Sequence, residues 1–106
     1  MKQFKSFFDR VSIGDIIGGA MNYSFLSSAV FFRVVQKRGK ATLICEQLSS
    51  ITEFTGYHTK IISCDVNSVK CSDIKIRCGK YSARYDNYRL QILDDDIPHF
   101  EGSDSD

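Results

Sequence analysis

The sequence contains no long apolar run. No stretch approaches the roughly 18 consecutive apolar residues of a membrane-spanning helix, and charged residues interrupt the first eleven positions, where a signal peptide would be apolar. Neither of the two glycine-rich phosphate-binding patterns, GxxxxGK followed by Ser or Thr and GxGxxG, occurs in the chain. Because no membrane span or signal peptide is indicated, we expect a cytoplasmic protein with no membrane partner. Because the phosphate-binding patterns are absent, we interpret Gly18 and Gly19 as a turn or bulge that ends a short strand.

Residue patterns typical of metal sites and catalytic sites are missing as well. Zinc ligands usually lie two to four residues apart, so that a tight turn aims both at one ion, whereas the last three cysteines are spaced by seven. The only histidines, His58 and His99, belong to no nucleophile or metalloprotease pattern. We predict that the protein is not an enzyme and binds no cofactor or metal. Nothing indicates export, so we expect four reduced thiols in core or half-core positions, at Cys45, Cys64, Cys71 and Cys78.

The charges divide the chain into two parts. The net charge is only +1, but residues 1–93 hold all 14 Lys and Arg against seven acids, whereas residues 94–106 hold six acids and no base. We predict a single globular domain over residues 1–93 and an acidic, flexible tail over residues 94–106. As an alternative, Ile97 and Phe100 would dock the tail on the domain. The acids of the tail are Asp94, Asp95, Asp96, Glu101, Asp104 and Asp106.

Residues 30–47 have the strongest pattern, a β-hairpin. Two runs of β-branched and aromatic residues flank a polar segment with one glycine. Lys37, Arg38 and Gly39 suit a three-residue loop in which Gly39 takes the left-handed conformation. The first strand is apolar on both sides, because Phe31 and Phe32 point to opposite faces. We expect another part of the chain to cover the second face.

The rest of the chain predicts further short strands. Residues 57–65, 69–78 and 88–93 are strand-like, residues 48–56 are typical of a loop, and turns are expected at residues 66–68 and at Asp86 and Asn87. Phe4, Phe7, Phe8 and Val11 have helical spacing, although a strand start there is the alternative. The predicted fold is mainly β, α+β at most. It is a small, strongly curved antiparallel sheet or partly open SH3-like barrel, with a short N-terminal helix as an option.

Scattered positions of the chain resemble a family of small uncharacterised proteins from phages and mobile elements, whose pattern is GD…WGY…TN…FYQVV…GKT followed by a late IKI…Y…WDG stretch. The resemblance covers roughly residues 12–88 and implies a phage or plasmid origin and a small β fold. It carries over no catalytic residue, and it departs from the pattern at Met21 and Asn22. The matching positions are Gly14, Asp15, Tyr23, Ser27, Ser28, Phe31, Phe32, Arg33, Val34, Val35, Gly39, Lys40, Ile74, Lys75, Ile76, Tyr81, Tyr85 and Asp86.

Basic residues interleaved with tyrosines form the candidate binding surface. Cations neutralise phosphates and tyrosines stack on unpaired bases. The alternative is that the charges keep strand edges soluble while the tyrosines fill the core. The residues concerned are Lys37, Arg38, Lys40, Lys75, Arg77, Lys80, Tyr81, Arg84, Tyr85 and Arg89.

Two functional hypotheses follow. The preferred one is a non-enzymatic binding protein of phage or mobile-element origin that acts in the host cytoplasm by binding and modulating a host protein, such as a defence or transcription factor. The alternative is a nucleic-acid-binding small β-barrel. A homodimer is compatible with both, and the acidic tail would shield the basic body in cis, contact a partner, or do neither.

Overall fold

The computed structural model describes residues 5–22 and 26–103. These residues form one antiparallel sheet of seven strands and a short helix near the N-terminus, so the predicted fold class is confirmed. The sheet is curved and ring-like, although it is not a regular barrel. In chain order the elements are α1 (Phe7–Arg10), β1 (Ile16–Asn22), β2 (Leu26–Arg38), β3 (Thr42–Gly56), β4 (Thr59–Cys78), β5 (Ala83–Tyr85), β6 (Tyr88–Leu93) and β7 (His99–Ser103).

The strand order explains the ring. Neighbouring strands follow the order β3-β2-β1-β6-β5-β4-β7, and an additional pairing of β3 with β4 joins the two sides. Six strands therefore close on themselves, while β7 lies outside the ring on the first residues of β4. Because closure leaves few unpaired strand edges, a short chain can use this arrangement to enclose a core.

The hairpin of β2 and β3 forms as predicted, with its loop two residues further along. Arg38 pairs with Thr42, so residues 39–41 make the connection, and Gly39 has a φ of 61°. The predicted turn at Asp86 and Asn87 is confirmed between β5 and β6.

The prediction that Gly18 and Gly19 end a strand was wrong, because both lie inside β1. A Cβ atom at Gly19 would lie 2.3 Å from the carbonyl oxygen of Arg89, and one at Gly18 would lie 2.8 Å from that of Val30. The glycines are therefore required by the close approach of neighbouring strands.

The hairpin of β3 and β4 is much longer than the sequence indicates. Residues 48–56 belong to β3 rather than to a loop, and the turn expected at residues 66–68 is an irregularity inside β4. There, Leu48 pairs with Val69 whereas the next residue, Ser49, pairs with Asp65. The outer half of the hairpin is held by strand pairing, which composition alone does not reveal.

The buried side chains form two groups. The inner core lies within the ring, where alternate residues of six strands meet the apolar side of α1; the buried helix residue is Phe7. The short helix was predicted correctly, and the Phe4 of its pattern lies outside the described residues. The inner core comprises Phe7, Val11, Ile17, Phe32, Val34, Leu43, Cys45, Ile76, Ala83 and Leu90.

The outer cluster covers the second face of β2, as the apolar pattern requires. It consists of Phe31, Leu48, Ile62 and Cys64, so the outer half of the long hairpin folds against the ring. Phe100 of β7 packs on it, with 5.6 Å between the ring centroids of Phe31 and Phe100.

The acidic segment differs from the flexible tail expected from its composition. Residues 99–103 form β7, and the amide of Cys64 donates a hydrogen bond of 2.9 Å to the carbonyl of the buried Pro98. The alternative of a docked segment is correct for Phe100, which packs on the outer cluster, and wrong for Ile97, which is exposed. Asp104 and Asp106 lie outside the described residues.

Candidate anion-binding face

Cross-strand register brings four arginines of the candidate surface into one line. Arg77 of β4 lies directly opposite Arg84 of β5, which lies directly opposite Arg89 of β6. On the other side Arg77 lies opposite Thr42 of β3, which is opposite Arg38 of β2. Directly opposed residues share a face of the sheet. We call these four exposed side chains the arginine row: Arg38, Arg77, Arg84 and Arg89.

The inner core explains why the row points outward. Ile76, Ala83 and Leu90, each adjacent in sequence to a row arginine, fill the interior. Because side chains alternate between the two faces of a strand, the arginines must take the solvent side. Core packing and the position of the row are thus fixed together.

The row concentrates positive charge. Neighbouring strands lie about 4.8 Å apart, and like charges placed directly opposite one another destabilise a sheet. None of the residues paired along the row is acidic, and in the described ranges no ion pair involves its guanidinium groups. The row is therefore suited to an anion that spans several strands.

A cleft of about 340 Å³ opens between Arg77 and Arg84. The turn from β4 to β5 forms its wall, where the amide of Gly79 donates a hydrogen bond of 2.8 Å to the carbonyl of Ser82. Arg89 Nε donates to Ser82 Oγ over 3.3 Å, which brings a third guanidinium close to the cleft. We call this concavity the arginine cleft; its lining residues are Arg77, Cys78, Gly79, Ser82 and Arg84.

Cys78 lines the cleft but brings no ready nucleophile to it, because its side chain packs against the inner core. Burial raises the pKa of Cys78, an effect that the nearby Lys37 partly offsets. The thiol is therefore protonated at neutral pH, whereas the thiolate is the reactive form. The chemistry offered by the cleft is binding through guanidinium and hydroxyl groups.

Some residues of the candidate surface have structural contacts instead. Lys37 donates to the carbonyl of Val11 over 2.8 Å and lies 4.7 Å above the ring of Phe8, so it holds α1 against the sheet. The ring of Tyr85 packs inward on Phe32, with 4.8 Å between centroids. Neither side chain belongs to the exposed face.

The remaining basic candidates flank the row. Lys75 precedes Arg77 by two residues on β4 and is exposed, and Lys40 is exposed in the turn between β2 and β3. Lys80 and Tyr81 lie in the turn next to the cleft, where the ammonium of Lys80 is 5.5 Å from the centroid of the Tyr81 ring. The row thus has further positive charge at both of its edges.

The acidic candidates are placed away from the row. Asp94, Asp95 and Asp96 are exposed after the end of β6, whereas Arg89 lies at its beginning. Glu101 lies on β7, 3.5 Å from His99 Nε2, and β7 pairs with the end of β4 opposite to Arg77. A hydrogen bond to the backbone at residue 97, and then the nearby carboxylates, raise the pKa of His99.

Sequence reasoning missed two features. The first is the arginine row, of which one half could have been found. The turn at Asp86 and Asn87 was identified, and counting outward from it places Arg84 opposite Arg89. The second feature lies on residues 49–56, which were interpreted as a loop. Among the described strands, these residues pair with β4 alone. The hairpin end exposes large side chains: Ile51 by 49%, Phe54 by 68% and Tyr57 by 90%.

The cysteines show no metal geometry. All four are free; Cys45 and Cys64 are buried as predicted, whereas Cys71 is exposed and not in the core. Within residues 5–22 and 26–103, no group of three or more His, Cys, Asp or Glu side chains could hold an ion. In the same ranges, no helix has the length and apolar character needed to cross a membrane.

Comparisons with protein-family models, curated proteins and solved structures found no match.

Proposed function

We propose that the protein is a non-enzymatic binding protein that holds a nucleic acid by its phosphate backbone. The observation that supports this most strongly is the arginine row, in which consecutive strands present guanidinium groups with no acid between them. Arginine forks match phosphate oxygens, and such contacts supply affinity without sequence selectivity. The alternative hypothesis of the sequence analysis thus becomes the preferred one.

The positions of the tyrosines limit the mode of binding. Tyr85 packs in the ring, and the hydroxyl of Tyr88 is hydrogen-bonded to Ser28 Oγ at 2.7 Å, so neither offers a face for stacking on a base. Tyr81 is exposed next to the cleft, but a single ring is no row of stacking platforms, so base recognition has little support. We therefore expect contacts to the backbone and an affinity that depends little on sequence.

The acidic segment has no shielding role in this proposal. Ser103, at the end of β7, pairs with Thr59 at one end of β4, whereas Arg77 lies at the other end. Removing residues 94–106 would also delete β7 and expose the outer cluster, so a salt series on full-length variants is the cleaner experiment.

The test is fluorescence anisotropy of a labelled duplex DNA between 50 and 200 mM salt. The binding constant of the unmodified chain should fall steeply with salt, and the double variant Arg77→Gln and Arg84→Gln should lower the slope of log K against log salt by about two. Lys70→Gln, an exposed position on the same strand outside the row, is the matched control for charge. Absence of binding at 50 mM salt, or an equal loss of slope per charge in the control, would refute the proposal.

The hairpin end favours a second function, the binding of a protein. Within the part of the chain that the structure describes, one edge of β3 over residues 49–56 has no pairing strand, and Phe54 and Tyr57 are exposed nearby. Partner proteins add a strand to edges of this kind. If the chain has the phage or mobile-element origin that the resemblance implies, the partner is a protein of the host cytoplasm. A purified partner should lose affinity for the Phe54→Ser and Tyr57→Ser variants and keep it for the arginine variants; the reverse pattern would refute this function.

A further inference from the structure

The arginine cleft differs from the rest of the row because it is concave. Arg77 and Arg84 stand on adjacent strands at its two sides, and Gly79 and Ser82 close it from the turn. Its volume, about 340 Å³, is at the lower end of the range of small-ligand clefts. A small anion can contact two strands and the turn here, whereas elsewhere along the row it would rest on a surface.

The hydrogen bonds around Ser82 prepare the cleft for an anion. Ser82 Oγ accepts a hydrogen bond from Arg89 Nε, and this leaves the hydroxyl hydrogen of Ser82 free to donate. The backbone bond from Gly79 to Ser82 fixes the wall that carries this hydroxyl. Fixed donors bind an anion at a lower entropic cost than mobile ones.

The charge balance of the cleft is also one-sided. Two guanidinium groups line it and a third is hydrogen-bonded to its wall, whereas none of its lining residues is acidic. The Cys78 thiol is neutral because burial raises its pKa. A singly or doubly charged oxyanion would therefore find cationic and hydroxyl donors and no repelling group.

We propose that the arginine cleft is a subsite for one phosphate group, bound by the forks of Arg77 and Arg84 and by the hydroxyl of Ser82. This inference rests on the proposed function only for the source of the phosphate, which is either an internal phosphodiester of a strand or a terminal phosphate. The shared chemistry is a tetrahedral oxyanion recognised by paired guanidinium groups.

The first experiment uses inorganic phosphate as the probe and the full-length protein. In an NMR titration at constant ionic strength, the amide signals of Gly79 and Ser82 should shift saturably. Arg84→Lys keeps the charge but removes the fork, and it should weaken phosphate binding at least tenfold. Arg38→Lys is the matched control, since it makes the same change in the same row outside the cleft, and it should leave phosphate binding unchanged.

The second experiment separates the two sources of phosphate. Oligonucleotides with a 5′-phosphate and with a 5′-hydroxyl are compared: tighter binding of the phosphorylated form, lost in Arg84→Lys, assigns the cleft to a terminal phosphate. Equal binding, weakened by Arg84→Lys to the same extent, assigns it to an internal phosphodiester.

The two proposals can fail separately. If DNA binds with a steep salt dependence but phosphate causes no saturable shift, or Arg84→Lys binds phosphate as well as the unmodified chain, the cleft is no subsite and the row still stands. If phosphate saturates the cleft and DNA does not bind, the subsite stands and the proposed function is wrong. Both variants change exposed residues, and unaltered thermal unfolding will show that they are folded.

Discussion

Phe31 and Phe32 are consecutive residues of β2, both are fully buried, and they belong to different clusters. Phe32 lies in the inner core, which six strands and α1 enclose. Phe31 lies in the outer cluster, whose other buried side chains come from the long hairpin and which β7, a strand of five residues, covers; partly buried residues of β1 and β6 also pack against it. One strand therefore supports two packing units of different size, with ten buried residues in the inner core and four in the outer cluster.

This difference has consequences for stability. Regions with few buried contacts and exposed backbone hydrogen bonds open with lower free energy than the core of the same protein. The outer cluster has four fully or nearly fully buried side chains, and Phe100, its cover from β7, is only partly buried. We expect it to open locally while the inner core stays closed.

The candidate surfaces follow the same division. The arginine row stands on the strands that enclose the inner core, so its spacing is as rigid as the ring. The apolar hairpin end extends from the half of the hairpin that carries the outer cluster. A rigid spacing suits a regular polyanion, whereas an edge that can adjust suits a protein segment.

The largest effect is expected for Phe32→Ala. Removing a fully buried ring that packs on Tyr85 should lower the free energy of unfolding by about 3–5 kcal/mol. Phe31→Ala is the matched change in the adjacent residue, and its cost should lie at the lower end of that range, about 3 kcal/mol, because the outer cluster can collapse around the cavity. Urea unfolding measures both; an equal or larger loss for Phe31→Ala would mean that the two clusters form one unit.

The inner core could be predicted from the sequence because its signal is local. Alternating apolar residues identify the strands that contribute Phe32, Leu43 and Ile76, and the helical spacing around Phe7 identifies α1. Each of these side chains faces inward in a regular element, so period and burial agree. The pairing of Arg84 with Arg89 follows from a turn of two residues and is local in the same sense.

The features that could not be predicted, the outer cluster among them, have causes that are distant in sequence. The glycines of β1 are required by the approach of Arg89 and Val30, and the strand at residues 49–56 exists because it pairs with residues of β4. The composition of residues 94–106 is that of a solvated tail, yet Phe100 meets a ring 69 positions away. The alignment of Arg77 with Arg84 likewise needs the geometry of the turn between β4 and β5.

Alkaline pH should produce the next largest effect. Burial raises the pKa of Cys45, in the inner core, from 9.0 to about 12 and that of Cys64, in the outer cluster, to about 11. Above pH 9 the unfolded chain releases these protons while the folded chain retains them. The free energy of unfolding therefore falls by about 1.4 kcal/mol per pH unit and per thiol, and the loss stops once pH exceeds the folded pKa.

Urea unfolding between pH 8 and pH 10.5 tests this dependence. Cys45→Ala should reduce the alkaline slope by the contribution of one thiol, whatever its effect on stability at pH 7. Val34→Ala is the control, since it removes buried volume from the same inner core without removing a thiol, and it should lower the stability and leave the slope as it is. An unchanged slope in Cys45→Ala would mean that the thiol reaches solvent in the folded state.

The smallest effect is expected for Phe100→Ala, which removes the contact between β7 and Phe31. The side chain is partly buried, so the loss should be about 1 kcal/mol, which corresponds to roughly a fivefold change in an opening equilibrium. Alkylation followed by mass spectrometry should therefore show Cys64 reacting about five times faster, with Cys45 unchanged. If both thiols react faster by the same factor, the outer cluster cannot open without the inner core. The hairpin end would then be as rigid as the arginine row, and the structural reason for assigning them different kinds of partner would be lost.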